Sequence, residues 1–531
     1  MSRFILFMFL SSLSANAQAL YPDDPVEFEP KPVSVTEVAK RKLSDYYDLV
    51  RNTLDTPGQL NRNASKPVRA QAVNTLGEPM QGAWWVKRHY YKPMTLDELV
   101  AGPGKDHPPA PQGSWTVVGA KNEGITPGFV ILDGKNELYF IKFDPLSQPE
   151  MATGADQVAI RLVHALGYHV PENYLVEFSE ETLVLGKDVT LADRLGRRRP
   201  MTRRDLTEIL LKVPKNSHGR YRATASRAIP GTGIGPYRYH GTRRDDPNDF
   251  VPHEHRRDLR GFAIVSAWIG HDDSRAINTY DALVEENGAK FIRHYILDLG
   301  STFGSGTQRP NSPRSGGEYL FGWKQSAVQL FSLGLAVPYW AKASFPNLPS
   351  IGRFEFARFD PERWVPEYPN PAFLNRLPDD EFWAARQIMS FGNEQIHAIV
   401  GSAQYSDPKA AEWLAQCLIQ RRDKIGRAFY KKVLPIDKFE VRESQLVFED
   451  LSEKADFGAA GPYTIQWFQF DQKTGATTPL PGATGSLLPA QSGPYLVAKI
   501  ESGSRPNQRV DVTLRLGISS SPTVVGVDRL W

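Results

Sequence analysis

Between residues 84 and 178 the apolar positions fall mostly in short runs bounded by glycine, proline, asparagine and aspartate, the pattern of strands and tight turns. Residues 115–132 read as strand, glycine-containing turn and strand. Asp133-Gly-Lys-Asn136 is a hairpin signal, and 137–143 (ELYFIKF) is a strand by its β-branched and aromatic content. The period then changes. Over 155–167 apolar side chains recur at helical spacing and Gly167 closes the run. Helices are also expected over 35–51, over 202–213 with Thr202 as N-cap, from 253 to 269, and over 379–389, 393–401 and 408–432. A strand is expected over 221–229, followed by a turn-rich piece at 230–236. Residues 307–317, rich in serine, proline, glycine and arginine, read as a mobile loop. From about 437 short alternating runs return (463–470, 495–500, 510–516), separated by glycine and proline turns, as in a small β-sandwich.

Composition sets outer limits. A chain of 531 residues that is 41% hydrophobic is globular and expected to form two to four domains. A net charge of +3 is close to neutral, and no aromatic-basic motif suggests nucleic acid. Met1-Ser-Arg3, the apolar run 4–10 and the small residues Ala15, Ala17 and Ala19 have the three-part layout of a secretory signal peptide. The expectation is a periplasmic or secreted protein, cut after Ala17 or Ala19, with no membrane span. Cys417, the single cysteine, sits in a helical pattern and reads as a buried, inert thiol.

The residues able to do chemistry are few. Lys142 lies between Ile141 and Phe143; in a buried strand it would need an anion such as a nucleotide phosphate, and on an edge strand it would point to water. Asp156 stands near a helix start, where it could pair with Lys142 or simply favour the helix dipole. Asp273 and Asn278 are five apart in IGHDDSRAIN, and Asp298 precedes Leu-Gly in YILDLGSTFG. A carboxylate, an amide oxygen and a second carboxylate in this order suit phosphoryl transfer: the first orients the attacking hydroxyl, and the others hold the metal that bridges the phosphates. Turn-capping roles for Asp273 and Asp298 are the plainer alternative. Arginines clustered between 194 and 260 suggest either an acidic or phosphorylated substrate or a solvated basic face. His253-Glu-His255 makes a poor chelating face and reads as surface residues at a helix start.

In the order YFIKFDP, HALGYHVPENYLV, IGHDDSRAIN and YILDLGSTFG, the chain resembles the atypical kinases grouped around the HipA toxin kinase and the spore-coat CotH kinases. The resemblance spans roughly 115–304 and is motif-level. It implies an α+β protein-kinase-like two-lobed fold, with a β-rich N-lobe and an α-helical C-lobe, to which the alternating C-terminal strands add an all-β sandwich-like domain. The corresponding divisions are a signal peptide (1–19), an arm with one helix (20–83), an N-lobe with a basic insertion (84–250), a C-lobe (251–435) and the β domain (436–531). By resemblance, Lys142 contacts phosphate, Asp156 is its acidic partner, Asp273 is the catalytic base, and Asn278 and Asp298 are metal ligands. ATP or another nucleotide with Mg²⁺ or Mn²⁺ would be the donor, and the acceptor would be an unknown protein or small molecule. His271 and Asp272 stand where kinases carry an arginine, Asp272 competes for the base role, and the turn 119–124 keeps only part of a glycine-rich loop. Two alternatives follow: a catalytically inactive kinase-fold protein binding a partner in the cell envelope, and a metal-dependent hydrolase using His271, Asp272, Asp273 and Asp298.

Overall fold

The computed structural model describes residues 25–59, 66–104, 106–120, 128–192, 198–306, 308–333, 335–490, 493–517 and 521–531. The expected signal peptide, most of the 119–124 turn and Arg197 lie outside the described residues. The arm helix α1 (Asp45–Leu54) is shorter and later than the 35–51 pattern. Residues 35–41 instead find hydrogen-bond partners elsewhere: Val35 N donates to Lys290 O at 2.9 Å and Arg41 N to Ile234 O at 2.7 Å. Tertiary bonds to the backbone here outcompete the local period.

A six-stranded sheet follows, made of β1 (Trp115–Ala120), β2 (Gly128–Leu132), β3 (Leu138–Phe143), β4 (Asn173–Phe178), β5 (Leu183–Leu185) and β6 (Tyr221–Arg227), in the order β4-β6-β3-β2-β1-β5. Its pairs are antiparallel except β1 with β5. Between β3 and β4 runs α2 (Met151–Ala165), and between β5 and β6 runs α3 (Arg203–Leu210). Thr202 caps α3 with a reciprocal Asp205 bond, as its position suggests. One face of the sheet is a core of Phe129, Ile131, Tyr139, Ile141 and Phe143 closed by Leu206 and Leu210 of α3. Strand alternation puts Phe140 and Lys142 on the other face.

A three-stranded sheet, β9-β8-β7, is built from β7 (Thr232–Gly235), β8 (Thr279–Glu286) and β9 (Ala289–Ile296). Helix α4 (Arg257–Ile269) precedes β8 and is buried along its whole length. After β9 come α5 (Trp323–Phe331), α6 (Pro378–Ile388), α7 (Asn393–Gly401) and α8 (Pro408–Phe429). Their largest core joins Phe262 and Trp268 of α4 to Trp383 of α6 and to Leu414 and Leu418 of α8. Cys417 is buried in it.

At the C-terminal end a hairpin, β10 (Ile436–Arg442) and β11 (Gln445–Asp450), packs on a five-stranded antiparallel sheet. That sheet comprises β12 (Tyr463–Phe470), β13 (Thr477–Thr484), β14 (Tyr495–Ser502), β15 (Arg509–Arg515) and β16 (Thr523–Leu530), ordered β13-β12-β14-β15-β16. Among the described residues the layer facing it is this hairpin and not a second full sheet.

A charge cluster ties this end to the helices. The buried Arg386 guanidinium meets both Glu78 and Asp437, and Asp437 also accepts from Tyr90 Oη at 2.6 Å and Arg529 Nη2 at 3.1 Å. Removing one member of a buried ion cluster strands the others without compensation. Arg386→Ala is therefore expected to lower unfolding free energy by about 3–5 kcal/mol in a urea titration. A loss within the range of an exposed arginine substitution would contradict this account.

Candidate functional site

Lys142 is not on an edge strand. β3 lies between β2 and β6, and the lysine leaves the face opposite the aromatic core. Its Nζ donates to Asp298 Oδ1 at 2.8 Å, across 156 positions of sequence. Both side chains stay partly open, 35% for Lys142 and 43% for Asp298. Burial alone would lower the lysine pKa, but the Asp298 and Asp156 carboxylates outweigh it and hold the ammonium above its usual range.

Two features fix this geometry. Asp144, two residues beyond Lys142, accepts from the Ala152 and Thr153 backbone N–H groups at 2.8 Å each and from Thr153 Oγ1 at 2.7 Å. It thereby satisfies amides of the first turn of α2 from outside the helix and pins that helix to the end of β3. Asp298 itself sits in the left-handed region, at φ 55° and ψ 43°, at the start of a short 3₁₀ turn. Gly300 lets this turn approach α2: a Cβ there would lie 3.3 Å from Ala152 O and 3.7 Å from Asp156 Cβ. The turn carrying Asp298 and the helix carrying Asp156 are thus neighbours.

Asp156 is buried and accepts from Asn173 Nδ2 at 2.8 Å. Burial pushes its carboxyl up to about 6, against the opposing attraction of Lys142. The expected Lys142–Asp156 pair is accordingly an electrostatic neighbour relation, while the lysine's hydrogen bond goes to Asp298. Asp273 begins a short loop that ends in the 3₁₀ turn Ala276–Asn278. Asn278 Nδ2 donates to the Asp273 carbonyl at 2.9 Å, which orders the loop and leaves the amide oxygen as acceptor. Burial pushes the Asp273 carboxyl up to about 6; Arg275 opposes the shift and Asp298 adds to it.

Several neighbours were not legible in the sequence. Arg275 meets the Asp273 carboxylate directly, and its Nη1 reaches Asp45 of α1 at 2.7 Å and Glu367 at 3.3 Å. The only signal was a cation two residues after the acid. Asp272 turns away towards Ser315, with Asn311 Nδ2 at 3.3 Å from its Oδ1, so it does not share the position of Asp273. His271 is buried, and burial pulls its imidazole down to about 4.

Other expectations need correction. His253, Glu254 and His255 form a buried 3₁₀ turn, not surface residues: His253 Nε2 lies 2.9 Å from Asp249 Oδ2, and Glu254 Oε2 accepts from Gly241 N at 2.7 Å. Much of the basic stretch is internal as well. Arg243 pairs with Asp245 and Asp281, Arg256 with Glu29 and Asp258, and Arg257 with Asp379 and Asp380. These cations are occupied by structural partners.

Asp298 and Asn278 supply two hard oxygen donors. That set suits a magnesium-like ion that arrives with phosphate and water ligands, since such ions take only one or two groups from the protein. Among the described residues no group of three or more histidine, cysteine, aspartate or glutamate side chains could hold a metal by itself.

No family model matches the chain, and no curated protein matches it in sequence. A crystal structure of the proinflammatory kinase CtkA of Helicobacter pylori aligns over 57% of this chain and 94% of its own, with 14% identity and a TM-score of 0.30. A likeness of that size does not establish a shared fold.

The Asp156 geometry has a measurable consequence. Its folded-state carboxyl holds a proton more tightly than an ordinary aspartate does, so its stabilising contribution is full below about pH 4 and lost as pH rises through about 6. Asp156→Asn is expected to gain about 2–3 kcal/mol relative to the parent between those limits, read from urea titrations at pH 4.5 and 7.5. A pH-independent difference would refute the buried-carboxyl assignment.

Proposed function

We propose that this protein is an exported kinase-like phosphotransferase, with residues 84–250 and 251–435 acting as two lobes around the Lys142–Asp298 contact and 436–531 as an appended β domain. The observation that carries the reading is the 2.8 Å bond from Lys142 Nζ to Asp298 Oδ1, with Asp156 in the field of both groups and Asp273 in that of Asp298. A lysine, a turn carboxylate and a loop carboxylate taken from across 156 positions of sequence would make a polyanion site with its own base.

In this reading Lys142 holds the phosphates of a nucleotide such as ATP, and Asp156 keeps its ammonium charged and oriented. Asp298 and Asn278 would hold Mg²⁺ or Mn²⁺, which when bound neutralises charge between the phosphates. Asp273, with a carboxyl near 6, is poised to accept the proton of an acceptor hydroxyl close to neutral pH. Arg275 aims that carboxylate, and Asp45 and Glu367 hold Arg275 in turn. The acceptor is a protein or small molecule bearing a hydroxyl.

A second reading, a nucleotide-binding protein without transfer, is favoured by one feature: both site carboxylates already carry a cationic partner, Lys142 on Asp298 and Arg275 on Asp273. The two readings part experimentally. ATP with Mg²⁺ or Mn²⁺ should raise the melting temperature of the parent protein, and Asp298→Ala should abolish the rise. Asp273→Asn should keep it while lowering phosphate transfer about 10²–10⁴-fold. Nucleotide binding with no transfer by the parent would favour the second reading, and no thermal shift with any nucleotide-metal pair would remove both.

A further inference from the structure

We propose that the face built around α5 and the segment after it docks on the surface of an anionic phospholipid membrane. The first observation is apolar exposure. Leu330 is 71% exposed, Phe331 85%, Leu333 89% and Leu335 85%, with Phe321 and Val337 beside them in sequence also open. Large apolar side chains left in water in a continuous stretch mark a contact surface.

Charge selects the partner. Across residues 308–358 the exposed charged side chains described are Arg309, Lys342, Arg353 and Arg358, all cationic. The two acids of the stretch are partly covered and each has a partner: Glu318 lies 3.8 Å from Arg314, and Glu355 Oε2 accepts from Arg358 N at 2.8 Å. An apolar strip flanked by cations complements a leaflet with acidic headgroups over a hydrocarbon interior. A second copy of the chain is disfavoured, because a self-complementary contact would bring these cations against one another.

A third observation is independent of both. Where the apolar strip ends, Tyr339 and Trp340 line a cavity of about 70 Å³ together with Arg353, Arg358 and Arg421. The indole Nε1 of Trp340 and the Nε of Arg421 are buried donors with no hydrogen-bond partner among the described residues. Glu355 and Asp360 also line the cavity but have partners: Asp360 Oδ1 accepts from Glu362 N at 3.0 Å. Unpaired N–H donors with arginines around them are a place for an oxyanion, and a headgroup phosphate is the one a membrane offers. Tyrosine and tryptophan at this level suit the membrane–water boundary.

The surface is tied to the loop of Asp273. Ser315 bonds Asp272, and Leu320 N donates to Glu367 O at 2.6 Å, with Glu367 paired to Arg275. Docking requires neither nucleotide nor transfer.

The test is co-sedimentation of the full chain, without nucleotide, with vesicles of phosphatidylethanolamine and phosphatidylglycerol, and in parallel with phosphatidylcholine alone. The parent should pellet with the anionic vesicles, with about tenfold less bound to phosphatidylcholine. Phe331→Glu with Leu333→Glu should abolish binding to both, and Lys342→Glu with Arg358→Glu should remove the anionic preference. All variants should melt like the parent, since the substituted side chains are exposed. A parent that stays in solution with both vesicle types overturns the proposal, as does undiminished pelleting of the Phe331 and Leu333 variant. Light scattering that shows a dimer dissolved by that variant, with no vesicle binding, would reassign the face to self-association and overturn it too.

Discussion

The Lys142–Asp298 ion pair is the constraint around which the rest of the molecule is arranged. An ammonium on the open face of a sheet and a carboxylate in a left-handed turn each need a partner to be tolerable at a half-buried position. Each partner is placed by a separate device. Asp144 locks α2 onto β3, so the lysine and Asp156 move as one piece. Gly300 lets the Asp298 turn lie against that same helix. Arg222 of β6 adds a further tie, donating to Thr153 Oγ1 at 3.0 Å and to Gln404 O at 2.8 Å, and so joining the sheet to the end of α7.

Arginine joins many of the chain's distant segments. Planar guanidinium groups can satisfy two carboxylates at once, and here they repeatedly bridge segments far apart in sequence. Arg256 connects Glu29 with Asp258, Arg257 connects α4 with α6 at Asp379 and Asp380, and Arg275 connects the Asp273 loop with α1. These pairs supply orientation more than stability, because desolvating the ions offsets much of their attraction. Orientation is what a site assembled from a strand, a helix and two loops requires.

What could be read from the residues was local. The hairpin at Asp133-Gly-Lys-Asn136 joins β2 and β3 with Asn136 at φ 62°, and Thr202 caps α3, because turn and cap chemistry is encoded within four residues. The juxtaposition of Lys142 with Asp298 was legible only through motif order, since nothing in the neighbourhood of either residue encodes a contact 156 positions away. The extended course of residues 35–41 was hidden because helical spacing is a local signal and their backbone partners are not local. The burial of His253, Glu254 and His255 was hidden for the related reason that polar side chains look like surface until their partners are known. The role of Arg275 needed both Asp45 and Glu367 to be in place before it had any meaning.

The cluster centred on Arg386 also bears on the order in which the molecule can be completed. Glu78 is supplied early in the chain, Asp437 late, and Arg529 in the last strand. Without Asp437 or Glu78 the buried Arg386 guanidinium would be left short of counter-charge, which opposes its burial. Closure of the helical core is thus coupled to segments far from it in sequence, and two of these also meet where Val527 N donates to Thr75 O at 2.9 Å. A shortened chain would be expected to fail as a whole instead of losing one module, so the terminal strands act as the clasp of the assembly.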